Sequence, residues 1–452
     1  MAKIRVPQPL EKLIEKYDFM KDIVPLLMEY KATNSEGKYL PWDKFKWRVK
    51  SGTSEEAAWL ATKISRQGIS KYINALQADK PNVKFSYCVP DSLFAQLHKI
   101  DKMTGGGHAL EEGAFLTSQE KDKYLVKNLI MEEAITSSQL EGASTTRKVA
   151  KKLLEENRVP KDKSEQMIFN NYQLMKAAVE NKNEPLSIDF ILKLHQIATF
   201  KAIDNDAVAG EFREDNEVTV ADLYNEVAHT PPCYSSIRER LTALCEFANA
   251  DHEGKNSDTF LHPLVKAIIL HFMIGYIHPF GDGNGRTARA LFYWSMLNSG
   301  YWLFEYVSIS KLIQEKRSEY DAAYIYTESD EFDLTYFIYH QVDIVMKAVN
   351  ALLEHIESKR KAYYEFARWV EKSPLSKNLK RGQIELLKEA VKSPGKVFTV
   401  KQLASDFDVT ENTARGYLND LVDLDLLMAS KEKKGKMILY FSPQGLTEKL
   451  KL

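Results

Sequence analysis

The most apolar long stretch of the chain, Leu264 to Ile277, is interrupted only by Lys266 and His271. A run from Leu261 that is apolar on nearly every side predicts a helix buried in the middle of an α-helical domain, and it delivers the chain straight into His278. Other elements follow from weaker patterns. The capping box Thr117-Ser118-Gln119-Glu120 opens a helical pattern through Leu125, Leu129 and Ile135 that runs toward Glu141, with Gly142 as its stop. A second helix is predicted from about Ser187 in LSIDFILKLHQIATF. After it, Val218 and Val220 alternate with polar neighbours and give the strand signal of the central region.

Beyond His278 the helical pattern resumes through ARALFYWSMLNSG, which Gly300 closes, and continues to about Lys372. Residues 373–382 are polar with one Pro and read as a linker. Two helices are then expected around the turn Asp408-Val409-Thr410, and a hairpin turning at Lys434-Gly435 completes a winged-helix pattern. The first 110 residues read as polar helices that carry no chemistry, closed by a Gly-rich loop at Thr104 to Gly107. Three domains are expected: an N-terminal helical region over 1–110, a catalytic domain over 111–372 and a winged-helix domain over 383–452.

Composition adds mostly exclusions. With 62 basic against 63 acidic residues, no global field draws the chain to nucleic acid, an anionic membrane or an acidic substrate. The N-terminus has no apolar core of a signal peptide, and the longest apolar stretch is too short to span a bilayer. A soluble cytoplasmic protein is expected. Cys88, Cys233 and Cys245 form no CxxC pair and are expected to be buried, reduced thiols.

The chemistry concentrates in residues 278–289, HPFGDGNGRTAR. Gly283-Asn284-Gly285 lies where one helix ends and another starts, so free backbone N–H groups and the absence of Cβ atoms make an anion site. Arg286 and Arg289 fall on one face of the first turn, the wrong end of the macrodipole for a cation, and a polyphosphate or an ion pair would compensate them. Asp282 offers one hard carboxylate beside a phosphate site, which suits Mg²⁺. His278 is placed to accept a proton from a hydroxyl near neutral pH.

In that register the segment resembles the Fic family of AMP-transferases, whose pattern HPFx(D/E)GN(G/K)RxxR it matches at every defined position. The resemblance implies a mainly α fold, with a Fic-type helical core, a β-hairpin flap and here a small C-terminal winged-helix domain. It implies transfer of AMP from ATP with Mg²⁺ to a Ser, Thr or Tyr hydroxyl of a protein, with self-labelling as one outcome. His278 would be the general base and Asp282 the metal ligand; Gly283, Asn284 and Gly285 would bind the α-phosphate, and Arg286 and Arg289 the outer phosphates. Val218, Thr219 and Val220 resemble the family's target-docking flap, flanked by Gly210-Glu211-Phe212-Arg213 and Pro231-Pro232. Ser137 to Gly142 resembles the inhibitory motif (S/T)xxxE(G/N). By that likeness Ser137 and Glu141 form a brake, with Glu141 paired to Arg289.

The C-terminal module leaves two routes open. Asn412, Thr413, Arg415, Tyr417 and Asn419 are the residues its second helix could offer to DNA, and Lys431, Lys433, Lys434 and Lys436 lie in the wing. Residues 371–452 carry roughly +4, about 15 basic against about 11 acidic, which is modest for a DNA binder. Protein contact or homodimerisation is the other route. The rival to AMP transfer is therefore a DNA-binding winged-helix regulator whose Fic core senses nucleotide.

Overall fold

A helix that is apolar on all sides can settle only where other elements cover all of them. In the computed structural model, which describes residues 4–80, 83–104, 126–203, 207–221, 227–252, 254, 260–392, 396–430, 438–443 and 445–450, the run ending at Ile277 is such a helix. The described chain is mainly α, with a few short strands. It divides into two compact units, Met1–Asn350 and Ala351–Leu452.

The first unit contains helices α1 (Glu55–Gln67), α2 (Asp91–Thr104), α3 (Val126–Leu140), α4 (Lys163–Glu180), α5 (Ile188–Thr199), α6 (Ile237–Asn249), α7 (Pro263–Ile277), α8 (Asn284–Asn298) and α9 (Arg317–Ser329). It also holds the start of α10 (Thr335–Lys372) and two antiparallel hairpins, β1 (Lys71–Gln77) with β2 (Lys84–Tyr87) and β3 (Val220–Ala221) with β4 (Val227–His229). In α7 every position from Leu264 to Ile277 is buried except Lys266 and Gly275. At about 1.5–3 kcal/mol per fully buried large apolar side chain, Leu270, Phe272, Ile274 and Ile277 outweigh the cost of burying His271, whose Nε2 bonds Tyr320 Oη. Helix α8 packs along α7, and α4 packs against α3, α5 and α8, so the turn between α7 and α8 is held by the centre of the unit.

Local signals set the ends of these helices. Ser187 and Asp162 cap α5 and α4 by accepting from Phe190 N and Glu165 N. Helix α3 stops at Leu140, and Gly142 takes φ 97°, the left-handed value that favours glycine. The expected start of that helix near Thr117, the Gly-rich loop after Thr104 and the wing lysines lie outside the described residues.

Three readings are corrected. The first 110 residues are not all helical, because β1 and β2 pair there. Their charges are not idle either: buried Lys63 donates to Asp330 Oδ1 (2.9 Å) and Arg66 to Tyr336 Oη (2.6 Å), tying α1 to the C-cap of α9 and to α10. Cys233 is exposed, whereas Cys88 and Cys245 are buried. The supposed linker ends early, since helix α11 (Arg381–Lys392) begins within it.

The boundary between the units falls inside α10. In the second unit α11 precedes β5 (Val397–Phe398), α12 (Val400–Phe407), α13 (Glu411–Asp423), β6 (Met428–Ala429) and β7 (Tyr440–Phe441), and the strands form one antiparallel sheet in the order β5-β7-β6. Leu386, Leu387, Leu418, Leu421 and Tyr440 close its core together with Phe366 and Trp369 from the end of α10. On α13, Asn412, Arg415 and Asn419 are exposed. Asn419 accepts from Tyr440 Oη at 2.8 Å.

Candidate active site

Helix α7 ends at His278, which adopts φ 47° and ψ 58°, a left-handed conformation that costs a β-carbon-bearing residue about 1–2 kcal/mol. Its N–H still bonds Ile274 O (3.0 Å), and its Nδ1 faces Gly275 O at 3.2 Å. A carbonyl can only accept, so Nδ1 carries the proton and Nε2 keeps its lone pair. Burial pushes the His278 pKa down to about 4, although the Gly275 bond opposes it. At neutral pH the imidazole is therefore uncharged and able to take a proton.

The five residues to α8 are fixed from both sides. Phe280 N donates to Asn284 Oδ1 (3.1 Å) and Asn284 Nδ2 donates to Phe280 O (2.7 Å), so one N–H and one lone pair of the buried Asn284 amide fix the loop. Gly283 N-caps α8 with φ 80°, and a Cβ there would meet Thr199 Cγ2 at 2.5 Å. Glycine is required at Gly283 by conformation and by space.

Two residues outside the segment hold it in place. His195 stacks on Phe280 with ring centroids 3.7 Å apart. Its Nδ1 accepts from Gly210 N (3.0 Å), so its Nε2 must donate to Asp282 O (2.8 Å), and burial lowers its pKa to about 4. Arg213 is buried and donates from Nε to His278 O (2.9 Å) and from its terminal nitrogens to Asp215 O and Pro232 O, while its own N–H reaches Pro279 O (3.0 Å). That one side chain ties the loop carrying His278 to both ends of the β3–β4 hairpin. Within the hairpin Val220 pairs with His229 and Ala221 with Val227; Val218 and Thr219 lead into it, Thr219 exposed and both valines half-buried. His229 in turn bonds Glu328 (2.7 Å) and Tyr276 O (2.8 Å).

The two arginines of α8 are buried and face different partners. Arg286 donates to Ala198 O (2.7 Å) and sits 3.3 Å from Asp282 Oδ1, but its buried Nε has no hydrogen-bond partner. Arg289 donates from Nε to Ser137 Oγ (2.9 Å) and from Nη2 to Ser137 O (3.2 Å) and Glu141 Oε1 (2.8 Å). Burial would raise the Glu141 pKa, but Arg289 and Arg286 outweigh it and hold the carboxyl below its ordinary value. A Cβ built on Gly285 would collide with Glu141 Oε1, so this carboxylate lies directly over the first turn of α8. A negative group thus already occupies the place where free N–H groups favour one.

Helix α3, which delivers Glu141, is itself anchored. The fully buried Glu133 accepts from Ser308 Oγ (2.8 Å), Ser310 N (3.1 Å) and Ser310 Oγ (2.5 Å), and burial raises its pKa. Beside Glu141 and Asp282 opens a cavity of about 220 Å³ whose walls include Arg286 and Lys163. Among the described residues no group of three or more His, Cys, Asp or Glu side chains could hold a metal. Asp282, a single carboxylate 34% exposed on this cavity, fits an ion that takes one or two carboxylates and completes its shell with phosphate oxygens and water.

Sequence reasoning brought together His278, Asp282, Gly283, Asn284, Gly285, Arg286, Arg289, Ser137 and Glu141, and all of these line one region. It missed His195, Glu133, Lys163 and the clamp made by Arg213. His195 carried a signal, an imidazole in register with the apolar residues Ile191, Leu194 and Ala198 of α5. Residues 185–296 match the model of the Fic/DOC family. That match takes in the whole segment from His278 to Arg289. A relative named protein adenylyltransferase Fic from Nematostella vectensis is 32% identical over 121 residues, covering 26% of this chain and 25% of that protein. The protein of the same name from Culex quinquefasciatus is 25% identical over 238 residues, 52% of this chain and 43% of its own. This chain thus spans between a quarter and less than half of these two relatives. The crystal structure of a Fic family protein from Desulfovibrio desulfuricans G20 shares the fold at TM-score 0.50 and 18% identity, covering 79% of this chain and 98% of the other. No helix among the described residues is long and apolar enough to cross a membrane.

Proposed function

We propose that this chain is a protein adenylyltransferase that moves AMP from ATP to a Ser, Thr or Tyr hydroxyl and is held off in cis by Glu141. One observation carries the reading: a neutral imidazole at the end of α7 stands beside an anion seat at the start of α8, and the chain's own carboxylate fills that seat. The relatives' shared name supports the same reaction.

In the reaction the target hydroxyl oxygen attacks the α-phosphorus, its proton passes to His278 Nε2, and the bond to the β-phosphate oxygen breaks to release pyrophosphate. Backbone N–H groups of Asn284 and Gly285, joined by that of Gly283 once it leaves Asp282 Oδ1 (2.6 Å), stabilise charge on the α-phosphoryl oxygens. Arg286 and Arg289 receive the outer phosphates. Asp282 would hold Mg²⁺, whose chemistry is to neutralise phosphate charge. The β3–β4 hairpin, led by Val218, Thr219 and Val220, accepts an extended target segment through main-chain pairing. While Glu141 bonds Arg289, the outer phosphates lose that ligand.

Incubation of wild type and Glu141→Gly with ATP labelled at the α-phosphate tests the whole reading. Label should appear on protein, and more of it with the variant; label on neither sinks the assignment. The second unit we propose as a winged-helix module, supported by its three helices and the β5-β7-β6 sheet. Duplex binding that weakens steeply with salt would give it a DNA role, and a concentration-dependent sedimentation coefficient a dimerisation role.

A further inference from the structure

The last turn of α5 forms the support beneath the anion turn. His195, Ala198 and Thr199 are spaced i, i+3 and i+4 and so share one face of that helix. Ala198 O, a carbonyl that the helix end leaves free, accepts from Arg286 (2.7 Å). Thr199 lies under Gly283, where a Cβ would meet its Cγ2 at 2.5 Å. His195 Nε2 donates to Asp282 O (2.8 Å). That carbonyl and the Gly283 N–H belong to one planar trans peptide, so they point in opposite directions. Holding the carbonyl on α5 therefore turns the N–H away from α5, to the side where Asp282 Oδ1 takes it at 2.6 Å and where the cavity walled by Gly281, Asp282 and Arg286 opens. The same ring reaches the segment that leads into the β3–β4 hairpin, since its Nδ1 accepts from Gly210 N (3.0 Å). Arg213 grips the other end of the anion loop at His278 O (2.9 Å) and Pro279 O (3.0 Å). Residues 210–213 are thus bonded to the loop at both ends, directly through Arg213 and through the ring of His195 at Asp282.

We infer that His195 is a positioning residue for AMP transfer: it aims the Gly283 N–H at the α-phosphate and fixes that seat to the hairpin on which the target docks. The inference rests on the proposed transfer reaction. The two ring nitrogens do separate work, the Nε2–H setting the Asp282–Gly283 peptide and the Nδ1 lone pair holding the lead of the hairpin. Stacking on Phe280, with ring centroids 3.7 Å and planes 3° apart, stops the ring from turning and keeps donor and acceptor on their own partners.

The test uses full-length protein with Glu141→Gly, so that the seat is open, and adds three changes at one position. His195→Phe keeps a ring on Phe280 and loses both bonds. His195→Gln places an amide N–H near the site of Nε2 with no acceptor at that of Nδ1, and His195→Asn places an acceptor near Nδ1 with no donor at Nε2. AMP is titrated by calorimetry, while kcat and the KM for ATP are read from transfer of labelled AMP. His195→Phe should weaken AMP by about tenfold, as loss of one hydrogen bond to a charged group does, and lower kcat by at least as much with a smaller change in KM. His195→Gln should recover most of both losses, and His195→Asn neither. Unchanged AMP affinity in His195→Phe, or equal recovery in His195→Gln and His195→Asn, overturns the inference. So does a loss that follows the thermal midpoint through all three variants, which would mark a packing role. A parent Glu141→Gly protein that binds no AMP overturns it too, for there is then no seat to aim. A parent that binds AMP and transfers none sinks the transferase reading, and the AMP series still decides whether His195 aims the Gly283 N–H.

Discussion

At the scale of single residues, the decisive feature of His278 is that its proton-accepting form persists well into acid. Its pKa lies near about 4, so the neutral form predominates above that value and is lost only as pH falls through it. In a Glu141→Gly background, the labelling rate should stay level from pH 8 down to about 5 and decline near 4, where an ordinary histidine would already fail near 6.5. Removing Glu141 strengthens this expectation, because its charge raises the His278 pKa. His278→Ala should reduce labelling by at least about 10²-fold while leaving ATP affinity in place, checked by transfer assay and calorimetry. Glu141→Gly should raise labelling, and Arg289→Ala should not mimic it, since that change removes the proposed phosphate ligand along with the partner of Glu141. Equal rates for wild type and Glu141→Gly at saturating MgATP would leave the brake without support.

At the scale of elements, α3 is only as effective as its anchorage. Glu133 fixes it to the segment carrying Ser308 and Ser310, eight residues before Glu141. Glu133→Ala leaves three donors without their acceptor, at about 1–3 kcal/mol for each that stays buried and unmet. It should lower the thermal midpoint, speed hydrogen exchange in α3 and raise labelling toward the Glu141→Gly level. A stability loss with unchanged labelling would confine Glu133 to a packing role. The hairpin depends in the same way on Arg213, and Arg213→Ala should raise the KM for a protein target more than that for ATP.

Elements also mark the limit of what the residues foretold. Helix α7 was legible because apolarity on every side has one structural solution, and the anion turn because glycine, asparagine and arginine occur there in a fixed register. The β1–β2 hairpin was not, since Lys71 to Gln77 alternates exposed and buried positions irregularly and its pairing shifts register. Glu133 and Lys163 escaped for a different reason. A lone charge in a helix reads as solvated surface, and only the tertiary fold shows that one is buried under two serines and the other faces a cavity.

For the whole molecule, the histidines set the acid response. Burial lowers the pKa of His195, His252, His271, His278 and His340, to about 4 for His195 and about 3 for His271. Between pH 6.5 and 4 the unfolded chain binds protons that the folded chain refuses, so stability rises with pH across that window and falls as it is acidified. By pH 5 the fully buried His195 and His271 should each cost about 2 kcal/mol relative to pH 7.5. Glu133, with its raised pKa, works in the opposite sense. Urea midpoints should fall steadily from pH 7 to 5; a flat profile would mean that these rings are already solvated in the folded state.

The Arg289–Glu141 pair, if the proposed outer phosphate competes for the same guanidinium, has a consequence beyond the reaction itself. Two ligands that compete for one guanidinium are thermodynamically linked, so any protein that draws α3 away tightens ATP binding by some factor. ATP must then tighten that partner's grip on α3 by the same factor. A regulator of this chain would need no contact with the nucleotide, and its own affinity would report the cell's ATP.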